Sequence, residues 1–262
     1  MNIFKQFYRS LFSPKDIALF RFQGIGKTIL YIFVLMAIVS IPAGVSLALS
    51  LSNGVQQFHQ AIESDIPDFE FTNGVLTSEI DEPFIEELDG VIFVLDPTDT
   101  VSSDELLAYN NGLALTSRDA YLITDGIIEQ IRYRDFGNIN MTKTEIEALI
   151  AGLSSMMPVI ITLLLLVLYI FTTGMKFIGV TVLGVIGLII RSKLGVKLTY
   201  KQLWVLSAYA VTLPTTIFAL LDLLYLNIPF SFTIYWVLAI VMLYMAAQRV
   251  PKPRPKVEVP EE

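Results

Sequence analysis

Asp222, Lys176 and Pro214 are the residues whose chemistry fits least with their neighbours, so they are the first candidates for function. Asp222 is the only acid in its apolar run, and a carboxylate in a membrane span is costly when charged, which marks it for a transport pathway. It lies a few residues from the outer end of that run, and a hydrated or tyrosine-paired structural acid is the favoured reading. Pro214, in Ala210-Val211-Thr212-Leu213-Pro214, is expected to kink its helix, with the hydroxyls of Thr212, Thr215 and Thr216 satisfying freed backbone groups. Such a kink opens a cavity or fits a neighbouring helix, and fitting is preferred. Lys176 is the only charge in residues 156–190. Beside Gly174, it is expected to snorkel to an interface or to mark a break over residues 172–176.

Other motifs lose their chemistry when the spacing is checked. Gln23-Gly24-Ile25-Gly26-Lys27-Thr28 ends like a phosphate loop, but Arg21 stands where the first glycine is needed and an apolar span follows instead of a strand preceding. Leu95-Asp96-Pro97-Thr98-Asp99-Thr100 is similar to an aspartyl phosphotransferase loop, but the second aspartate belongs at Thr98. As a calcium loop it lacks the alternating acids and the central glycine. His59 is the sole histidine and there is no cysteine, which excludes a histidine metal cluster and a His–Cys pair. Asp81, Glu82, Glu86 and Glu87 read as a solvated acidic face. No catalytic, metal-binding or cofactor-binding set emerges, so a non-enzyme without cofactors is expected.

The elements that would carry these residues belong in a bilayer. The chain has 262 residues, 54% of them hydrophobic, and a positive mean hydropathy, too apolar for a soluble domain of this length. Residues 156–190 would reach roughly 52 Å as a helix, against a hydrocarbon layer of about 30 Å, so this stretch must tilt, break or protrude. Charge is segregated. Of the 25 acids, only Asp16, Asp222, Glu258, Glu261 and Glu262 fall outside residues 51–155, whereas of the 18 bases only Arg118, Arg132, Arg134 and Lys143 fall inside. Bases flanking spans mark cytoplasmic segments, which puts the acidic middle outside. The partners expected are the lipid bilayer and a membrane protein; no nucleic-acid partner is expected.

In order, residues 1–27 read as cytoplasmic interfacial amphipathic helices. Ile3, Phe4, Phe7, Tyr8, Leu11 and Phe12 share a face, and Ser13-Pro14-Lys15-Asp16 starts a second helix running to about Phe22. Residues 28–50 form a first, retained span. Residues 51–155 form a small α+β extracytoplasmic domain, with a hairpin around Asn73-Gly74, strands at 91–95 and 113–115, and a second turn at Asp125-Gly126 whose strand continues through Tyr133. A short helix covers 102–109, and Thr142 with Glu145 opens the helix entering the second span. Residues 156–248 form the transmembrane bundle: one long crossing, a basic cytoplasmic loop at 191–201, an outward span at 203–225, a turn at Asn227-Ile228-Pro229 and a return span. Gly179, Gly184 and Gly187 suggest close helix packing. Residues 249–262 are an expected disordered cytoplasmic tail. The fold expected is an α-helical polytopic membrane protein with four crossings and both termini cytoplasmic; splitting 156–190 into two spans would put the tail outside.

Leu11-Phe12-Ser13-Pro14-Lys15-Asp16, and Gly195-Val196-Lys197-Leu198-Thr199-Tyr200-Lys201-Gln202 leading to Ser207-Ala208-Tyr209-Ala210 and Pro214, resemble the bacterial branch of the Yip-type membrane domain. The glycine pair of Yip-type loops is reduced here to Gly195. The order of one span, an acidic external insert and a terminal bundle more closely resembles a Firmicute family of unknown function, some of whose members are described as maltodextrin-utilisation membrane proteins. The resemblance implies a helical membrane protein of the bacterial plasma membrane and carries over no catalytic residue. The leading expectation is a non-enzymatic accessory, scaffold or sensor linked to carbohydrate uptake, with a sugar-uptake transporter as partner. The alternative is a transporter or channel component using the Asp222/Pro214 helix.

Overall fold

The computed structural model describes residues 2–63, 66–88, 90–124, 126–138, 140–224, 226 and 228–252. The chain divides into two compact units, Met1–Ala48 with Thr162–Glu262, and Leu49–Ile161. Among the described residues four helical stretches are long and apolar enough to cross a membrane: Ile25–Gln56, Lys143–Leu194, Tyr200–Leu223 and Ser231–Gln248. The tail at 253–262, Asp125 and Asn227 lie outside the described residues, as does the side chain of His59.

The first unit begins with α1 (Ile3–Phe12) and α2 (Pro14–Leu19), joined at Ser13, whose hydroxyl accepts from the Asp16 amide as an N-cap. A 3-10 turn, Phe20–Phe22, continues from α2, so the predicted second helix tightens before its end. The apolar face expected on α1 divides in two. Phe4, Tyr8 and Phe12 form an exposed row, while Ile3 and Phe7 pack on the core and the polar Gln6 and Ser10 are buried. Gln6 can be buried because its Oε1 accepts a 2.9 Å hydrogen bond from the Tyr209 hydroxyl.

Next come α3 (Ile25–Glu63) and α5 (Lys143–Leu194), each continuing into the second unit, then α6 (Tyr200–Ala210), α7 (Thr212–Leu223) and α8 (Ser231–Gln248). The core of this unit joins Ile17, Tyr31, Leu35, Leu183, Leu206 and Leu243. Within it the Tyr209 ring lies 4.3 Å from that of Tyr31 and 4.6 Å from that of Phe20, centroid to centroid. Of the two alternatives for residues 172–176, the break is absent, because α5 is one helix of 52 residues. Among apolar residues an interruption strands backbone groups with nothing to bond, whereas one helical glycine costs about 1 kcal/mol, so continuation wins.

The second unit contains two sheets. β1 (Phe69–Thr72) and β2 (Val75–Ser78) form the predicted hairpin, with Asn73 at φ 52° and Gly74 at φ 75°. These left-handed values fit a type I′ turn. β8 (Met141–Thr142) adds to β1 and gives the order β2-β1-β8. The larger sheet runs β3-β4-β5-β6-β7 and comprises Phe84–Leu88, Val91–Asp96, Gly112–Thr116, Asp119–Thr124 and Ile127–Arg132. Its pairs are antiparallel except β4 with β5, whose crossover carries α4 (Ser103–Leu106).

Both faces of β4 are covered. Phe93 and Leu95 join the core containing Phe69, Phe71 and Leu76, while Ile92 and Val94 join Leu106 of α4. That explains the uninterrupted apolar run of β4, where a half-exposed strand would alternate. Four features depart from expectation. β3 places Glu86 and Glu87 in a strand, the helix expected over 102–109 is only the single turn of α4, β8 adds an unforeseen strand, and β7 ends at Arg132 with a 3-10 turn, Tyr133–Phe136, in place of further strand.

Candidate functional site

In the first unit α5, α7 and α8 bring polar groups together at Lys176. Its ammonium donates to the Thr215 hydroxyl at 3.1 Å and to the Tyr235 hydroxyl at 3.0 Å, and those two oxygens lie 3.1 Å apart. The triangle is closed. The ammonium also sits 4.8 Å from the centroid of the Tyr235 ring, within cation–π range. A lone base in an apolar run needs acceptors, and the structure supplies neutral oxygens plus an aromatic face. Both hydroxyl partners are neutral, and an ammonium has one N–H beyond the two donated bonds.

Asp222, two turns further along α7, is exposed and forms no ion pair with Lys176 among the described residues. It shares two cavities with Lys176 and Tyr235. One, of about 860 Å³, includes Gly179, Phe232 and Trp236; the other, of about 880 Å³, includes Gly44, Leu165 and Thr215. A pinned ammonium and a free carboxylate on the walls of largely apolar cavities can hold an anionic or dipolar group.

Pro214 is buried beside this site but does not line either cavity. The helix is interrupted at Val211, and Pro214 occupies the first turn of α7, where its missing N–H costs little. The flanking hydroxyls divide their work. Thr216 accepts the expected role by donating to the Thr212 carbonyl at 2.9 Å, but Thr212 pairs with the Tyr31 hydroxyl at 2.6 Å and Thr215 joins the Lys176 triangle. The glycines divide too. A Cβ on Gly184 or Gly187 would meet Trp204 or Leu203 of α6 at 3.4 and 3.1 Å, whereas Gly179 has open space and lines a cavity.

Sequence reasoning singled out Lys176, Asp222 and Pro214 but missed Tyr235, whose hydroxyl completes the triangle. The available signal was that Lys176 could not stand alone in its run.

In the second unit the Asp96 loop is an internal brace. Asp96 is fully buried, and its carboxylate accepts from the Thr98 amide and hydroxyl at 3.0 and 2.6 Å and from the Val101 amide at 2.7 Å. Burial works to raise its pKa, but these hydrogen bonds outweigh it and hold the carboxyl below the usual carboxylate range. Its lone pairs point inward to its own loop, as in an Asx turn.

Comparison with known proteins places residues 4–247 on the model of a family described as "Protein of unknown function (DUF1189)". No curated protein and no solved structure matches the chain.

Proposed function

The chain belongs to the DUF1189 family, and from that premise we propose that it is a non-enzymatic accessory, scaffold or sensor of the bacterial plasma membrane. The observation that carries this reading is the second unit. A two-sheet fold with its own cores occupies Leu49–Ile161, between one apolar helix and three further apolar stretches. A folded domain carried on such helices suits recognition at the membrane surface better than passage through it. The distribution of bases supports an extracytoplasmic position for this unit and cytoplasmic termini. The unbroken α5 supports four crossings, since a continuous helix does not reverse direction. A Firmicute origin, a Yip-type bundle and a link to carbohydrate uptake through a sugar-uptake transporter complete the proposal.

In-cell crosslinking followed by purification in mild detergent tests it. A near-stoichiometric membrane-protein partner is expected with the full chain and is lost when residues 66–140 are replaced by a short linker. Unchanged recovery and activity of every partner after that replacement would sink the reading.

The Lys176 triangle and the Asp222 wall favour a second reading, a transporter or channel component. Its test is solute and ion flux in reconstituted vesicles, compared with Asp222→Asn. Transport predicts flux that falls at least tenfold in the variant while the purified protein still melts cooperatively; absence of flux above empty vesicles rejects this second reading.

A further inference from the structure

We propose that the second unit carries a binding site for a phosphate group, built from Arg118, Arg132 and Arg134. This unit lies in the acidic part of the chain, yet three of the four bases at 51–155 line one cavity of about 370 Å³. Asp119 is the acid among the residues lining it, and Asn73 and Gln130 add amide groups. In a segment otherwise dominated by carboxylates, dispersing three bases among acids would lower the energy, whereas gathering them opposes their mutual repulsion. Three guanidinium forks around one concavity suit a tetrahedral oxyanion with several acceptor oxygens.

The backbone that holds these side chains is fastened at each point. Arg118 occupies the turn between β5 and β6; its carbonyl accepts from the Tyr133 amide at 3.2 Å. The neighbouring Ser117 accepts from the Leu76 amide at 2.7 Å and donates its own amide to Asp99 at 2.9 Å. Arg132 stands opposite Asp119 in the β6–β7 register, and cross-strand partners share a face. Arg134 lies in the following 3-10 turn, beneath the β1–β2 turn, where a Cβ on Gly74 would come within 3.9 Å of the Arg134 nitrogen. The side chains themselves are exposed and free to engage a ligand. Among the described residues Arg118 and Arg132 form no ion pair, even with the opposed Asp119; Arg134 has a 3.9 Å contact with exposed Asp135.

The cavity's size and its excess of positive over negative groups match a small phosphomonoester, which carries about −1.5 to −2 charges at neutral pH. The site takes this group either as inorganic phosphate or on a small body such as a sugar. The inference rests on reading the second unit as the recognising part of the protein. Their tests are separate, because ligand binding is read on purified protein and partner loss is read in cells.

Calorimetric titration of the full chain in detergent micelles, with inorganic phosphate, glucose 6-phosphate and glucose, tests the site. Saturable binding of at least one phosphate compound and none of glucose is expected. Arg132→Gln should weaken binding at least tenfold, Arg132→Lys less, and Arg118→Gln/Arg132→Gln/Arg134→Gln should abolish it. Lys197→Gln, an exposed base outside this unit, should leave it unchanged, and melting curves should show all variants folded. Tighter glucose 6-phosphate assigns the site to an ester with its sugar; equal or tighter inorganic phosphate assigns it to the free anion. No saturable binding of either compound at millimolar concentration, or binding that persists in the triple variant, overturns the proposal.

Discussion

Residues in this chain show how the same chemical group acquires different roles from its surroundings. Asp96 and Asp222 are both carboxylates. One is buried with its lone pairs occupied by its own loop, while the other is exposed on a cavity wall beside an ammonium that it does not touch. Because the folded-state pKa of Asp96 is lowered, its contribution to stability is fully present above the unfolded value of about 3.9 and is lost as pH falls through the folded value. Asp96→Asn should therefore destabilise the second unit by about 1–3 kcal/mol near neutral pH, the scale of unmaking buried hydrogen bonds. The variant should also lose part of the acid-side fall in stability seen with the parent chain. Denaturant unfolding from about pH 2 to about pH 7, a range that brackets the titration of a carboxylate, measures both effects. Equal acid sensitivity in the two proteins would remove Asp96 as its source.

Elements were legible where local chemistry decides them. Ser13-Pro14-Lys15-Asp16 announced an N-cap and Asn73-Gly74 a hairpin, and each forms; the capped helix expected over 102–109 also starts as expected but stops at Leu106. Elements fixed by distant partners were not. β8 exists because Glu70 and Phe71 pair with it across the fold, and β3 hid behind its acids because only Phe84 and its neighbours on β4 reveal a strand there. The same division separates the candidate sites. Lys176 stood out by composition, whereas the convergence of Arg118, Arg132 and Arg134 needed the β6–β7 register and the 3-10 turn after it. At the α6–α7 joint two causes meet: Pro214 has no N–H to offer the Ala210 carbonyl, and the buried Tyr31–Thr212 hydroxyl pair ties the start of α7 to α3. Thr212→Val should cost about 1 kcal/mol or somewhat more by removing one of the partners of the buried Tyr31 hydroxyl, Ser10 being the other. Pro214→Ala should stay within about 1 kcal/mol of the parent, since alanine suits a helical first turn at least as well. Thermal melts in one detergent rank the two. A larger loss for Pro214→Ala would make the proline, not the hydroxyl pair, the organiser of the joint.

For the whole molecule, the segregation of charge and the long apolar helices agree on a membrane protein, and the orientation proposed above follows from the charge alone. The absence of cysteine makes that orientation measurable. A single Ser192→Cys substitution, at an exposed position near the end of α5, should resist an impermeant thiol reagent in intact cells and react after permeabilisation. Reaction in intact cells would place the basic loop outside and sink the proposed four-crossing arrangement with cytoplasmic termini. The division into units also imposes an order on biosynthesis. Leu49–Ile161 is contiguous, so its sheets can close as soon as that segment has been made. The N-terminal helices must wait, because Gln6 meets Tyr209 across 203 positions and Tyr31 meets Thr212 across 181. At ordinary rates of translation the interval is roughly 10–40 s. Until then the α1 and α3 side chains that meet α6 and α7, Gln6 and Tyr31 among them, have no native partner, which leaves the newborn N-terminal arm in need of shelter by the insertion machinery.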